Sequence, residues 1–244
     1  MYPIRYKQSV VNKTKYHPVH VIADEYGCSS RSIYRWINTM NINNHSSNTI
    51  IPVEGKCKRL FTGLDDNRLS ELQLTDEALY SLSYHRDADK LSKIIKKKFG
   101  KHITITDGTS NVGGNVISFA KFFDSVNAVE IDPVNFQALR NNIEVYKFTN
   151  VNLYNLDFTK QILKIKQDVV FLDPPWGGIG YKKKLKLKLF LGDRNVKYWC
   201  KKIFNETKTK AIYLKVPNNF DFNDFDLKKK LHKFKKYTIL YTHR

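Results

Sequence analysis

The chain has 244 residues, 41% hydrophobic and 27% charged, which is enough apolar material for a packed core and excludes wholesale disorder. No run of about 18 apolar residues and no basic amphipathic helix with a Trp/Leu face points to a membrane, and the opening Met1-Tyr2-Pro3-Ile4-Arg5-Tyr6-Lys7 lacks a secretory apolar stretch, so an intracellular protein is expected. Lys and Arg outnumber Asp and Glu by 42 to 23, a net charge of +19, and such a surface favours polyanions, nucleic acid first among them.

Residues 1–40 read as a small all-helical module. Helices are expected over 5–14 and 19–26, the latter ending on Gly27 as a left-handed cap, and Ser29 caps a third over Arg31–Met40. Ala23, Gly27, Ile33 and Trp36 give one apolar seam across a tight turn. The stretch resembles the helix-turn-helix of transposases and bacterial regulators. That resemblance implies a duplex nucleic-acid partner, with Ser30, Arg31, Ser32 and Arg35 facing a major groove. The other reading is a helical module that docks on the rest of the chain or contacts phosphates generally.

Residues 41–54, rich in Asn and Ser, read as a linker, and 55–100 as a mainly helical extension. The extension closes on Lys93, Lys96, Lys97 and Lys98 before Gly100, the pattern of a helix C-terminus. From 101 to 244 strands alternate with helices. Strands are predicted at Ile103–Thr106, Asn127–Ile131, Val151–Asn155, Asp168–Leu172, Ala211–Val216 and Tyr237–Thr242, and helices over 113–123, 133–146, 195–205 and 224–233. This alternation predicts an α/β, Rossmann-like, mostly parallel sheet covered on both faces, with ligands beyond the carboxyl ends of its strands.

Chemistry is therefore sought at those strand ends. The first ends in Asp107-Gly108-Thr109-Ser110-Asn111-Val112-Gly113-Gly114-Asn115, a Gly-rich turn into a helix N-terminus that lacks the Gly-Lys-Ser/Thr of a phosphate loop. The second ends in Glu130-Ile131-Asp132-Pro133, where Asp132 reads as an N-cap before an N1 proline and Glu130 as an acceptor for ribose hydroxyls. Asp157 and Phe158 follow the third strand, as an acceptor and a ring beside a base, or as a cap. The sharpest feature is Val170-Phe171-Leu172-Asp173-Pro174-Pro175-Trp176-Gly177-Gly178. A buried strand gives way to a stiff turn, because two prolines cannot extend a central strand. The Asp173 carboxylate and the Pro174 carbonyl would then converge on an amino group whose ring lies against Trp176. No residue pattern calls for a metal or a covalent intermediate.

Asp-Pro-Pro-aromatic with the Gly loop resembles the AdoMet-dependent amino-methyltransferases of nucleic-acid bases. The longer set narrows this. Asp107–Asn115, Glu130–Val134, Arg140–Tyr146, Asp157-Phe158 and Asp168–Gly178, with Lys58–Phe61, Leu64–Asp66 and Tyr80–Ser83, resembles the trimethylguanosine synthases over about 56–220. These are RNA cap guanine-N2 methyltransferases. The resemblance implies that Asp107, Gly108, Glu130 and Asp157 hold AdoMet, with Ser81 and Ser83 touching it from the extension. It implies Trp176 stacked on 7-methylguanine, Phe61 nearby, and Asn142 and Asp173 at the base edge. Lys58, Arg59 and Asn219 are candidates for the cap phosphates, as are Lys56 and the run Lys182–Lys188, which otherwise reads as a solvated edge over buried Leu185 and Leu187.

Four departures stand out. Asp173 replaces the family's frequent Ser, Asn111 replaces the first loop Gly, Pro217-Asn218-Asn219 replaces Pro-Arg-Asn, and only one strand is evident after Pro217 where two are usual. Capped RNA or an m7G nucleotide is the expected substrate and S-adenosyl-L-methionine the expected cofactor. The alternatives are methylation of an internal DNA or RNA base, or a non-catalytic nucleic-acid-binding regulator.

Overall fold

The computed structural model describes residues 48–244 except Gly178, together with Val10, Val19–Tyr26 and Ser32. Helix α1 (Val19–Tyr26) spans the range expected for it. Of the other two helices of the helix-turn-helix reading only Val10 and Ser32 are described, and Ser30, Arg31 and Arg35 lie outside the described residues. No described helix is long and apolar enough to cross a membrane.

The extension is less helical than expected. Ile50–Pro52, inside the presumed linker, forms strand β1 and pairs antiparallel with β2 (Gln73–Thr75). A 3-10 helix (Gly55–Leu60), α2 (Asp66–Ser70) and α3 (Ala78–Ser81) lead to α4 (His85–Phe99), which ends on Gly100 at φ +75°. Gly100 and the three lysines of that last turn are the C-terminal pattern read from the sequence.

The core alternates as expected: β3 (Thr104–Asp107), α5 (Gly114–Phe122), β4 (Ser125–Glu130), α6 (Pro133–Tyr146), β5 (Val151–Asn155), α7 (Phe158–Gln161) and β6 (Val169–Leu172). The short antiparallel pair β7 (Phe190–Leu191) and β8 (Arg194–Asn195) precedes α8 (Val196–Glu206), β9 (Ala211–Pro217), β10 (Lys229–Lys233) and β11 (Tyr237–His243). One seven-stranded sheet runs β10-β11-β9-β6-β3-β4-β5, parallel except at β11 and β10. Every residue of β6 and β9 is buried, as parallel strands covered on both faces must be.

Two expectations are corrected. Residues 229–233 form an antiparallel edge strand, not part of a helix over 224–233, so two strands follow Pro217. Of the alternating leucines, Leu187 is buried but Leu185 is 97% exposed.

Helix α6 seats the extension on the core. Asn135 accepts from Asn48 Nδ2 (2.9 Å) and Thr75 Oγ1 (2.7 Å), and Tyr146 donates its hydroxyl to the Thr62 carbonyl at 2.8 Å. Asn142, fully buried, donates to the carbonyls of Gln73 and Val112 and accepts from the Gln73 amide. Its amide is committed to backbone, which corrects its placement at a base edge.

Candidate active site

The order of strand connection reverses between β3 and β6. The chain fills the sheet outward through β4 and β5, then returns to β6 on the other side of β3. Such a switch point leaves a crevice beyond the carboxyl ends of the two strands. Asp107 closes β3 and Asp173 follows β6, so the two carboxylates named from the sequence meet there. Gly108 donates its amide to Phe171 O (3.0 Å), and Asp173 donates its amide to Thr109 Oγ1 (2.7 Å). A Cβ on Gly108 would come within 2.6 Å of the Leu172 side chain and 2.7 Å of the Phe158 ring, so a larger residue here must displace both side chains.

Asp107 is buried. Its Oδ1 accepts from the Thr109 amide at 3.0 Å, while Oδ2 is buried with no hydrogen-bond partner among the described residues. Burial pushes its carboxyl up to about 8, and Asp173 and Glu130 push the same way. Glu130 accepts from the Asn111 amide (2.7 Å) at one oxygen and the Asp132 amide (2.8 Å) at the other, and burial still raises it to about 7. Asn111 occupies the left-handed region at φ +49°, which Asn tolerates, so the missing loop glycine is conformationally replaced. Asp132 caps α6 as expected, accepting from the Val134 and Asn135 amides. Asp157 is likewise a cap, on α7, with one oxygen taken by the Thr159 amide and hydroxyl.

Lys215 is the residue the sequence reading missed. Its ammonium lies 2.6 Å from Asp173 Oδ2, 3.0 Å from Ser83 Oγ and 3.5 Å from the Ser81 carbonyl. The side chains of Lys215 and Asp173 are only 7% and 19% exposed. Burial raises the Asp173 carboxyl, and the Lys215 ammonium pulls it back. A lysine inside the otherwise apolar Ala211-Ile212-Tyr213-Leu214-Lys215-Val216 was the available signal, since a buried charge requires a partner. Asn115 also donates to Ser83 Oγ (3.2 Å), and Asn111 to Ser81 Oγ (3.4 Å), so the extension reaches the Gly-rich loop.

Trp176 is half-buried beside this pair, edge-on to Tyr181 at 5.1 Å, with the Lys215 ammonium 5.7 Å from its ring centre. Pro174 is buried behind it. Asn219 donates to the carbonyls of Tyr181 (2.8 Å) and Lys184 (2.7 Å), so it clamps the loop after Trp176. Other named residues lie elsewhere. Phe61 is a core side chain, 5% exposed, and offers no free stacking face. Lys58 pairs with Asp66 at 3.4 Å, and Arg59 Nε donates to the Lys56 carbonyl.

A family model described as RNA cap guanine-N2 methyltransferase matches residues 102–243, more than half of the chain. The chain belongs to this family of RNA cap guanine-N2 methyltransferases. An uncharacterized protein of Acanthamoeba polyphaga mimivirus is 34% identical over 75% of this chain and 79% of its own length. The trimethylguanosine synthases of Schizosaccharomyces pombe and Saccharomyces cerevisiae are 32% and 27% identical, over 48% and 75% of this chain. The matches span 54% and 60% of those two proteins. Among solved structures, a T. thermophilus 16S rRNA N2 methyltransferase in complex with AdoMet and guanosine aligns at a TM-score of 0.50 with 14% identity, over 64% of this chain and 43% of that one. It shares the fold.

The chain is thus an AdoMet-dependent methyltransferase, and the crevice suits that cofactor. AdoMet carries cationic and hydroxyl donors, and Asp107 offers it a buried carboxylate oxygen without a partner, beside a Gly108 that leaves room for close approach.

Proposed function

We propose that the protein methylates the exocyclic N2 of a 7-methylguanosine RNA cap, one transfer giving a dimethylguanosine cap and a second a trimethylguanosine cap. The observation that carries this reading is the turn Asp173-Pro174-Pro175-Trp176 at the switch point, a carboxylate and an indole side by side, tied by Lys215 to Ser83 of the extension. In this reading Asp107, Glu130 and Asp157 hold AdoMet from three strand ends, and Gly108 provides the close approach. Ser81 and Ser83 border it.

AdoMet, when bound, supplies an electrophilic methyl whose leaving group is a neutral thioether. Guanine N2 is a poor nucleophile because its lone pair is delocalised into the ring. Orienting such a group is worth ~7–11 kcal/mol in well-oriented systems. Trp176 fixes the plane of the base, and Asp173 accepts from N1–H or N2–H, holding the lone pair on nitrogen and favouring loss of the proton as the bond forms. The Pro174 carbonyl is the second acceptor.

The deciding assay is methyl transfer from labelled AdoMet to m7GTP and to GTP, with mass analysis separating one added methyl from two. Transfer to m7GTP well above that to GTP is the expected result. Equal transfer to both, or none to either, overturns the reading and moves the target to an internal base.

Asp107 gives an independent check. Its carboxyl ordinarily titrates near 3.8 but is held to about 8 in the folded chain, so between those values the native state keeps a proton that the unfolded state has lost. Stability of the unliganded protein therefore falls as pH rises from 4 to 8, by a few kcal/mol at ~1.4 kcal/mol per unit, with Glu130 adding in the same direction up to about 7. Asp107→Asn should flatten this slope in urea titrations at pH 5 and pH 8 while weakening AdoMet binding. An unchanged slope together with unchanged affinity would remove Asp107 from the cofactor site.

A further inference from the structure

Helix α4 carries Arg86, Lys90, Lys93 and Lys97 at spacings of four, three and four residues. This puts one cation per turn along one face, over ~16 Å of axis. All four are exposed, and with His85 and Asp89 they line an open groove of about 570 Å³. Helix stabilisation accounts for Lys97 in the last turn but not for the whole stripe. Arg86 sits in the first turn, where the helix dipole disfavours a cation.

These charges also lack acidic partners among the described residues. Elsewhere Lys188 and Lys197 pair with Asp224, Lys201 with Asp226, Lys202 with Glu206 and Lys210 with Asp168. Among the described residues none of the four α4 cations makes an ion pair. Asp89, the acid of the groove, accepts from Ser118 Oγ at 2.6 Å. The β10–β11 hairpin extends the same positive field. Lys90 lies 4.4 Å over Phe234, and Lys236 lies 5.9 Å over the half-exposed Tyr84. His232 is held below its usual range by burial, then by Lys230 and Lys90.

The stripe begins at the edge of the active site. Helix α4 starts two residues after Ser83, whose hydroxyl takes the Lys215 ammonium. Unpaired cations with an exposed aromatic among them suit a single-stranded polynucleotide, whose backbone tracks the charge while bases stack. We propose that this face is the track for the RNA chain that follows the cap, so the enzyme prefers capped RNA to a free cap nucleotide. The proposal rests on the cap-methylation reading.

The test uses the full chain with R86Q, K93Q and K97Q combined, none of which belongs to the methyl-transfer site. Both proteins are assayed on m7GTP and on a short m7G-capped single-stranded RNA. Turnover of m7GTP should stay within about twofold, while kcat/KM on capped RNA falls about tenfold or more and its log–log salt slope becomes shallower by about two, at ~0.7 per phosphate contact. Parallel changes on both substrates, or an unchanged salt slope, overturn the track. Failure of the wild-type chain to methylate either substrate overturns the cap reading instead. The track is then judged by binding of uncapped single-stranded RNA, where an equal salt slope in the two proteins sinks it.

Discussion

Lys215→Met should lower methyl transfer at neutral pH about a hundredfold or more, and Asp173→Ser in the same chain should recover much of the loss. Lys215 is the counter-charge of a mostly buried carboxylate 2.6 Å away. Removing one partner of a buried pair typically costs 3–5 kcal/mol, because the other is left uncompensated. The chain can relieve that cost by protonating Asp173, which then no longer accepts a hydrogen bond from the target amine. Burial raises this carboxyl already, and Lys215 is the principal group lowering it. The variant should therefore regain activity as pH rises, because ionised Asp173 becomes repopulated above its elevated titration point. The groups facing the pair are Asp107, Ser83, Trp176 and Tyr237, the last with its ring 5.1 Å from the ammonium and none of them a second cation. Ser at 173 leaves no unmatched charge, so the double variant separates an electrostatic defect from a folding defect. A folding defect would depress turnover at every pH and resist rescue. Near wild-type turnover in Lys215→Met alone would refute the role given to this pair.

What the sequence made legible follows from which residues had only local constraints to satisfy. Helix α6 runs over Pro133–Tyr146 as expected because Asp132-Pro133 starts it by capping chemistry that needs no distant partner. Strand β6 was readable because it is buried on both faces and therefore apolar without interruption. Strand β10 was not. It pairs on one side only and exposes its lysines, so no alternation is imposed on it, and Leu227 and Leu231 fall at helical spacing by coincidence. Lysines on an edge strand instead guard it against pairing with another chain. Strand β1 was hidden in an Asn-rich stretch because what holds it is tertiary, through Asn48 to Asn135 and the pairing with β2.

The site divides the same way. Asp107, Glu130 and Asp173 are legible as candidates because each stands at or just past a strand end, and the turn after β6 is stiff enough to be read from its prolines. Asn142 holds backbone and not the base edge that the resemblance implies for it. Its partners, Gln73 and Val112, lie 69 and 30 residues away, and nothing local reveals that its amide is already committed. Lys215 is hard to read because it sits in a strand whose burial on both faces dominates its pattern, and its partners Asp173 and Ser83 lie 42 and 132 residues away.

Trp176→Ala should erase the preference for a methylated cap. A base methylated at N7 is cationic, and an indole face attracts such a ring by ~0.5–2 kcal/mol, up to about thirtyfold in binding at ~1.4 kcal/mol per decade. The attraction requires that the indole plane be set beforehand. Tyr181 meets it edge-on at 76°, and Asn219 holds the following loop through the Tyr181 and Lys184 carbonyls. It also requires that the ammonium 5.7 Å from the ring centre not repel a second cation. Asp173 meets that condition, since its carboxylate cancels the Lys215 charge within the same crevice. Selectivity for the cationic base and acceptance of its amine protons thus depend on one ion pair. In Trp176→Ala, kcat/KM for m7GTP should fall about thirtyfold or more while the low activity on GTP changes little, so that their ratio approaches one. Trp176→Phe should retain stacking and part of the ratio, because a phenyl face attracts cations less strongly than indole. If Trp176→Ala loses activity on both nucleotides in proportion, the ring positions the base without reading its charge, and selection for the methylated cap must come from the carboxylates instead.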